Sequence, residues 1–234
     1  MQIDREHNFL ILEDKDLQKV KKITATNMTA LLGTNKFRKQ GDAMLMILNL
    51  YKEQIDPFYM ARGEWAERIL RKKYELEGHT VKYWDKFEIN FDNFPKNKEF
   101  GGMIDMCFTA PTRELVECKS KNISKLAETK KFPNDDYEHQ AKFYGYFSKC
   151  EDINLTYVFF TDEQEQKIRD GEALSLDPNE YTFYSYKVPL DEEEFKAELK
   201  MCLVYKNQCL TEKKIPLEHI SEKVLQKLHY TEII

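Results

Sequence analysis

The sequence predicts an α/β domain in which a central mixed β-sheet carries helices on its faces. Segments with apolar residues at helical spacing alternate with shorter strand-like segments, in the order helices, strands, helix, strand, strand, helices. Two neighbouring apolar segments, GGMIDMCFT and ELVECKS, read as strands although they carry Asp105, Glu117 and Lys119. No Pro/Gly/Ser-rich linker, repeat or low-complexity tract divides the 234 residues. A single domain over residues 1–234, with a substantial core, is therefore expected.

The elements follow in order. Residues 12–22 are polar and lysine-rich, ending in KVKKI. TATNMTALLG reads as a short helix, capped by Thr24 or Thr26 and stopped by Gly33. After the basic loop TNKFRKQGD, the spacing of Ala43, Met44, Ile47, Leu48 and Tyr51 predicts a helix over residues 42–54. The clearest helix covers residues 60–77, with Trp65, Ala66, Ile69 and Leu70 as its stripe, Glu67 just off it and Gly78 at its end. VKYW and KFEINF alternate as strands do and lead to the two polar-bearing strands. A helix over residues 136–148 combines Tyr137, Gln140, Phe143, Tyr144 and Phe147 on one stripe. NLTYVFFT and YTFYSYKV are strands, and DEEEFKAELKMCLVYK and LEHISEKVLQKL are closing helices.

Strand geometry gives the polar residues their meaning. Residues two apart share a face. Ile104, Met106 and Phe108 then lie together and Asp105 opposite them; Val116 and Cys118 lie together, with Leu115, Glu117 and Lys119 opposite. If these strands pair, two carboxylates and an ammonium gather over one patch of sheet, and a divalent metal is the simplest charged occupant. Mg²⁺ needs only one or two carboxylates, a carbonyl and water. Asp105, Glu117 and the backbone carbonyl of Cys118 could supply the oxygens, and Glu67 a further contact through water. Lys119 beside them suits orienting or deprotonating an attacking water, so phosphodiester hydrolysis is the simplest chemistry. Gln140, an amide inside an aromatic stripe, needs a polar partner, and this site is the nearest candidate.

Bulk properties narrow the class. Hydrophobic residues make up 41% of the chain, which marks a globular protein. The formal net charge of −5 speaks against a non-specific nucleic-acid coat protein but leaves room for a nuclease with local basic patches. No apolar run approaches the roughly 20 residues of a membrane span, and the acidic opening MQIDREHNFLILEDKD is unlike a signal peptide. The five cysteines form no CxxC, so neither a zinc ribbon nor a disulfide framework is expected, and a reducing cytoplasm is the expected compartment.

These residues resemble a known pattern. Asp105, eleven intervening residues and then Glu117-Cys118-Lys119 look like the signature of the PD-(D/E)xK nuclease superfamily. ITATNMTALLG is similar to the opening of YqaJ-type viral recombinases and lambda-exonuclease-like proteins. ARGEWAERILRKKYE resembles their RGxxxE helix, placing its Arg on Arg62 and its Glu on Glu67, and YEHQAKFYGYF resembles the QxxxY helix shared with RecB-type nucleases, at Gln140 and Tyr144. The match spans about residues 23–160, and nothing later can be mapped.

The resemblance implies a restriction-endonuclease-like core. It implies metal on Asp105 and Glu117 (one or two Mg²⁺ or Mn²⁺ ions), Lys119 as catalytic lysine, and Glu67 and Gln140 in support. The activity implied is an exonuclease degrading linear duplex DNA from a 5′ end in phage or prophage recombination, in the host cytoplasm if viral. A single-strand annealing partner and a ring-shaped homo-oligomer are implied with it. The family's 5′-phosphate contact falls on Thr26, equally readable as a helix cap; its upstream basic residue could be Lys19, Lys21 or Lys22. Lys36 and Arg38 are candidates for a basic rim along the DNA backbone, and Arg62 and Tyr144 are further candidates for DNA or phosphate contact.

Alternatives share the core: an endonuclease, or a nuclease fold kept as a catalytically silent DNA-binding protein. A CRISPR-type RecB-like nuclease would need a four-cysteine iron–sulfur cluster, and no cysteine precedes Cys107.

Overall fold

The computed structural model describes residues 1–110, 113–132, 134–150 and 152–233. In chain order the elements are β1 (Gln2–Asp4), β2 (Phe9–Ile11), α1 (Ala25–Leu31), α2 (Gln40–Ile47) and α3 (Pro57–Leu76). Then come β3 (Thr80–Lys82), β4 (Met106–Ala110), β5 (Glu114–Asn122), α4 (Leu126–Lys131), α5 (Asp135–Ser148) and β6 (Asp152–Phe160). The chain closes with α6 (Asp162–Arg169), β7 (Thr182–Lys187), α7 (Glu192–Glu212), β8 (Lys214–Pro216), α8 (Glu222–Leu225) and β9 (Thr231–Ile233). Two compact units interleave in sequence: Met1–Glu53, Phe94–Gly101 and Asp191–Ile234 make the first, Gln54–Asn93 and Gly102–Leu190 the second.

The second unit holds the expected mixed sheet, in the order β3-β4-β5-β6-β7. β5 and β6 run parallel over nine paired positions, from Glu114↔Asp152 to Asn122↔Phe160, while the other neighbours are antiparallel. A parallel pair needs a crossover, and α4 and α5 supply it. The two polar-bearing strands do pair, through Met106↔Val116 and Cys107↔Leu115. Ala66, Ile69 and Leu70 of α3 pack with Met106, Phe108, Val116, Cys118, Val158 and Phe160 on one face, and Ile168 of α6 joins them. Alternation leaves Leu115, Glu117 and Lys119 on the other face, towards α5. There Gly145 lets helix and strand approach closely, since a Cβ on it would stand 2.2 Å from Ile153 Cδ1.

The first unit carries a small sheet, β8-β2-β1-β9, which the sequence analysis does not anticipate. β1 and β2 form a hairpin turning through Asn8 at φ 63°. Ile3, Leu10, Met44, Leu45, Cys209 and Ile215 fill its core.

Several expected elements change in extent. The helix expected over residues 42–54 is α2, which stops at Ile47 because Asn49 takes a left-handed conformation, φ 59°. α3 begins earlier than expected: Asp56 accepts from the Phe58 N–H and Pro57 occupies the first position. KFEINF is a turn and not a strand. Asp85 accepts from the Phe87 and Glu88 N–H groups, and Asn90 and Phe91 turn left-handed. LEHISEKVLQKL does not form one helix; it divides into a 3₁₀ turn and α8 because Ile220 is extended and the Ser221 N–H donates to Asp42.

Candidate active site

Asp105 lies at a bend immediately before β4, one residue outside the strand expected to contain it. Its carboxylate accepts from the Cys118 N–H at 2.8 Å, which ties the start of β4 to the middle of β5. One residue to either side of Cys118 stand Glu117 and Lys119. The Lys119 ammonium donates to Glu117 Oε1 at 2.6 Å and to Gln140 Oε1 of α5 at 2.9 Å. Gln140 thus has the polar partner its setting demands.

The loop entering Asp105 is fixed from α5. Gly102 has φ +147°, and a Cβ there would come within 3.1 Å of the Tyr144 ring and hydroxyl. The Tyr144 hydroxyl is also hydrogen-bonded by the Met103 main chain. Burial, together with the nearby Glu117 and Asp105 charges, raises the Tyr144 pKa and keeps it a neutral phenol.

The electrostatics are those of crowded, buried acids. Burial and then the Asp105 charge push the Glu117 carboxyl up to about 8. Glu67 on α3 feels the same two causes and is pushed up to about 7. Burial raises Asp105 too, against the opposing Lys119 charge and the Cys118 N–H. For Lys119, burial would lower the pKa, but Glu117 and Asp105 outweigh it and hold the ammonium above its ordinary value.

A cation fits these residues on one direct observation. Glu117 Oε2 is buried and has no hydrogen-bond partner among the described residues, while the residue is only 3% exposed. A buried carboxylate oxygen left unpaired is costly unless a ligand takes it. No set of three or more His, Cys, Asp or Glu among the described residues forms a metal cage by itself. Mg²⁺ does not require one, since it retains several waters.

The other expected residues fall as follows. The Arg62 guanidinium is held within the second unit by Glu165 at 2.5 Å and by the Ser120 hydroxyl and carbonyl, each at 3.2 Å. Thr26, Lys21, Lys22, Lys36 and Arg38 belong to the first unit. Thr26 is exposed in the first turn of α1, after Thr24 at the cap position. Lys21 and Lys36 are exposed, Lys22 Nζ donates to the Phe94 carbonyl at 2.9 Å, and Arg38 pairs with Glu53. Tyr83, Trp84 and Lys86, which are not among the residues expected from the sequence, line one cleft with Glu67 and Asp105. The interleaved KYWDK run is the signal that marks them.

No family model matches the chain, and no curated protein does. Its fold is similar to the crystal structure of an alkaline exonuclease, LHK-Exo, from Laribacter hongkongensis. The TM-score is 0.56 at 16% identity, over 86% of this chain and 94% of that one. What the two chains share is the fold. The complex of LHK-Exo with dAMP matches at a TM-score of 0.56 and 17% identity over the same shares. No helix among the described residues is long and apolar enough to cross a membrane.

Proposed function

We propose that this chain is a metal-dependent deoxyribonuclease of the PD-(D/E)xK type, YqaJ-like, that degrades linear duplex DNA from a 5′ end. The observation that carries this reading is Glu117 Oε2, buried and without a hydrogen-bond partner among the described residues, beside Lys119 and in the electrostatic field of Asp105. Asp105, Glu117 and the Cys118 carbonyl would hold one or two Mg²⁺ or Mn²⁺ ions, with Glu67 reaching them through water. A metal held by these oxygens would supply Lewis-acid chemistry, offsetting charge on the phosphorane-like transition state and lowering the pKa of water.

The chain's own groups do the rest. Lys119, kept protonated by the two carboxylates, donates to the oxygens on which negative charge develops, and it orients the water in line. Gln140 holds that ammonium in place through its carbonyl oxygen. Tyr144 steadies the Gly102–Met103 approach to Asp105. Duplex DNA is the substrate class, a reading the exonuclease-like fold supports. A 5′-phosphate contact at Thr26, basic contacts from Lys21, Lys22, Lys36, Arg38 and Arg62, a ring-shaped homo-oligomer and a single-strand annealing partner complete the proposal. A reducing cytoplasm suits the five free thiols.

The test is digestion of a linear duplex, with 5′-phosphate or 5′-hydroxyl ends, and of its covalently closed circle. Each is incubated in Mg²⁺, with EDTA and Lys119→Ala controls. Loss of linear DNA alone, faster with 5′-phosphate and absent in both controls, is the expected result. Cutting of the circle would make the chain an endonuclease; DNA binding with no cleavage would make it a silent binding protein.

A further inference from the structure

The turn that follows β3 is unusual in what it exposes. Tyr83, Phe87 and Phe91, three large aromatic side chains within nine residues, are 56%, 82% and 53% exposed. Isolated surface aromatics need no account, but a group of them marks an interaction surface. The backbone holds this group in place. Asp85 caps the turn through the Phe87 and Glu88 N–H groups, and Phe91 sits at φ 57° with its ring edge-on to Phe87, centroids 5.5 Å apart. A left-handed bulky residue costs energy, and such strain collects at sites that bind.

Cations are interleaved with the rings. Arg71 lies over the Tyr83 ring at 4.1 Å and Lys82 over Trp84 at 5.1 Å. Lys86 lines the same cleft as Tyr83, Trp84, Glu67 and Asp105. Two acids of the turn are engaged in main-chain hydrogen bonds, Asp85 as above and Asp92 with the Gly102 N–H, while Glu88 is exposed. Stacking rings alternating with phosphate-neutralising cations is the chemistry that binds a single strand without regard to sequence. An apolar protein partner would not need the cations, and a duplex would not present unpaired base faces.

We infer that residues 82–91 form a base-stacking platform for unpaired DNA at the mouth of the Glu67–Asp105 cleft. Tyr83, Phe87 and Phe91 stack on bases, and Arg71, Lys82 and Lys86 contact phosphates. The inference rests on the nuclease reading for its role, delivering a frayed strand to the carboxylates, but its binding test is independent of cleavage.

The experiment uses the full chain in EDTA, where no cleavage occurs, and a short oligothymidylate carrying one 2-aminopurine. Stacking quenches the 2-aminopurine, and anisotropy of a labelled copy gives the affinity. Tyr83→Ala, Phe87→Ala and Phe91→Ala should each weaken binding about tenfold and relieve the quench. Tyr83→Phe should restore it, and Phe132→Ala, an exposed ring outside the turn, should change nothing. Unchanged affinity in all three alanine variants would overturn the platform, as would equal binding of an abasic strand, which would reveal a surface that contacts phosphates alone. Failure of linear DNA to disappear in Mg²⁺ while binding and quenching persist would instead sink the nuclease reading and leave the platform standing.

Discussion

Each unit buries an acid almost completely, and the two acids are treated differently. In the first unit Asp42, 1% exposed, accepts from the Lys39 N–H at 3.0 Å and from the Ser221 N–H at 2.8 Å. Both of its oxygens are used by the main chain, and it ties α2 to the segment entering α8. In the second unit Glu117 is as deeply buried, yet one oxygen meets Lys119 and the other has no hydrogen-bond partner among the described residues. Satisfied, a buried carboxylate is a fastening. Left partly unsatisfied among other carboxylates, it is a site that a ligand completes.

The largest effect should come from separating those roles. Glu117→Gln is expected to lower Mg²⁺-dependent loss of linear DNA by about a thousandfold or more, since it removes a charge the metal and transition state require. The same change should leave the metal-free fold intact or firmer. Asp42→Asn should do the reverse, costing about 2–3 kcal/mol in urea unfolding with activity per folded molecule retained. If both substitutions act alike on activity, the contrast between the two acids fails.

Gln140→Ala should reduce kcat by about 10–100-fold with KM little changed, because Gln140 acts through Lys119 and not on substrate. An unchanged kcat would remove Gln140 from the site.

The pH dependence of stability sharpens the comparison further. Glu117 and Glu67 bind protons more tightly folded than unfolded, their ordinary value of 4.5 being pushed up to about 8 and about 7. Above pH 4.5 the unfolded chain gives up protons the native state keeps, so these groups withdraw stability as pH rises towards 8. In EDTA the Tm of the wild type should therefore fall more steeply between pH 5 and pH 8 than that of Glu117→Gln, and Mg²⁺ should recover the wild-type loss at pH 8. Parallel curves would refute the raised carboxyls.

The smallest expected effect is at the loop that carries Asp105. Gly102→Ala, against φ +147° and a 3.1 Å approach to Tyr144, should cost about 1–2 kcal/mol by urea unfolding.

Much of this was legible from residues alone. Alternation in ELVECKS separates Glu117 and Lys119 from Val116 and Cys118, and the fold keeps that division. The α3 stripe and the amide in α5 read correctly because helical period is a property of near neighbours. The failures have equally physical causes. Strands of three residues, as in β1, β2, β8 and β9, are too short to show an alternation period. KFEINF does alternate, but Asp85 and two left-handed residues override the pattern through turn chemistry.

By itself, then, the sequence determined helices α3 and α5 and strands β4 to β7 of the second unit, and which of their side chains share a face, since both follow from spacing along the chain. Tertiary structure alone decided that Asp105 grips the Cys118 N–H, that Lys119 is held between Glu117 and Gln140, and that Glu117 keeps a buried oxygen without a partner among the described residues. Desolvation and charge coupling depend on groups brought together from distant parts of the chain, and no local pattern encodes them.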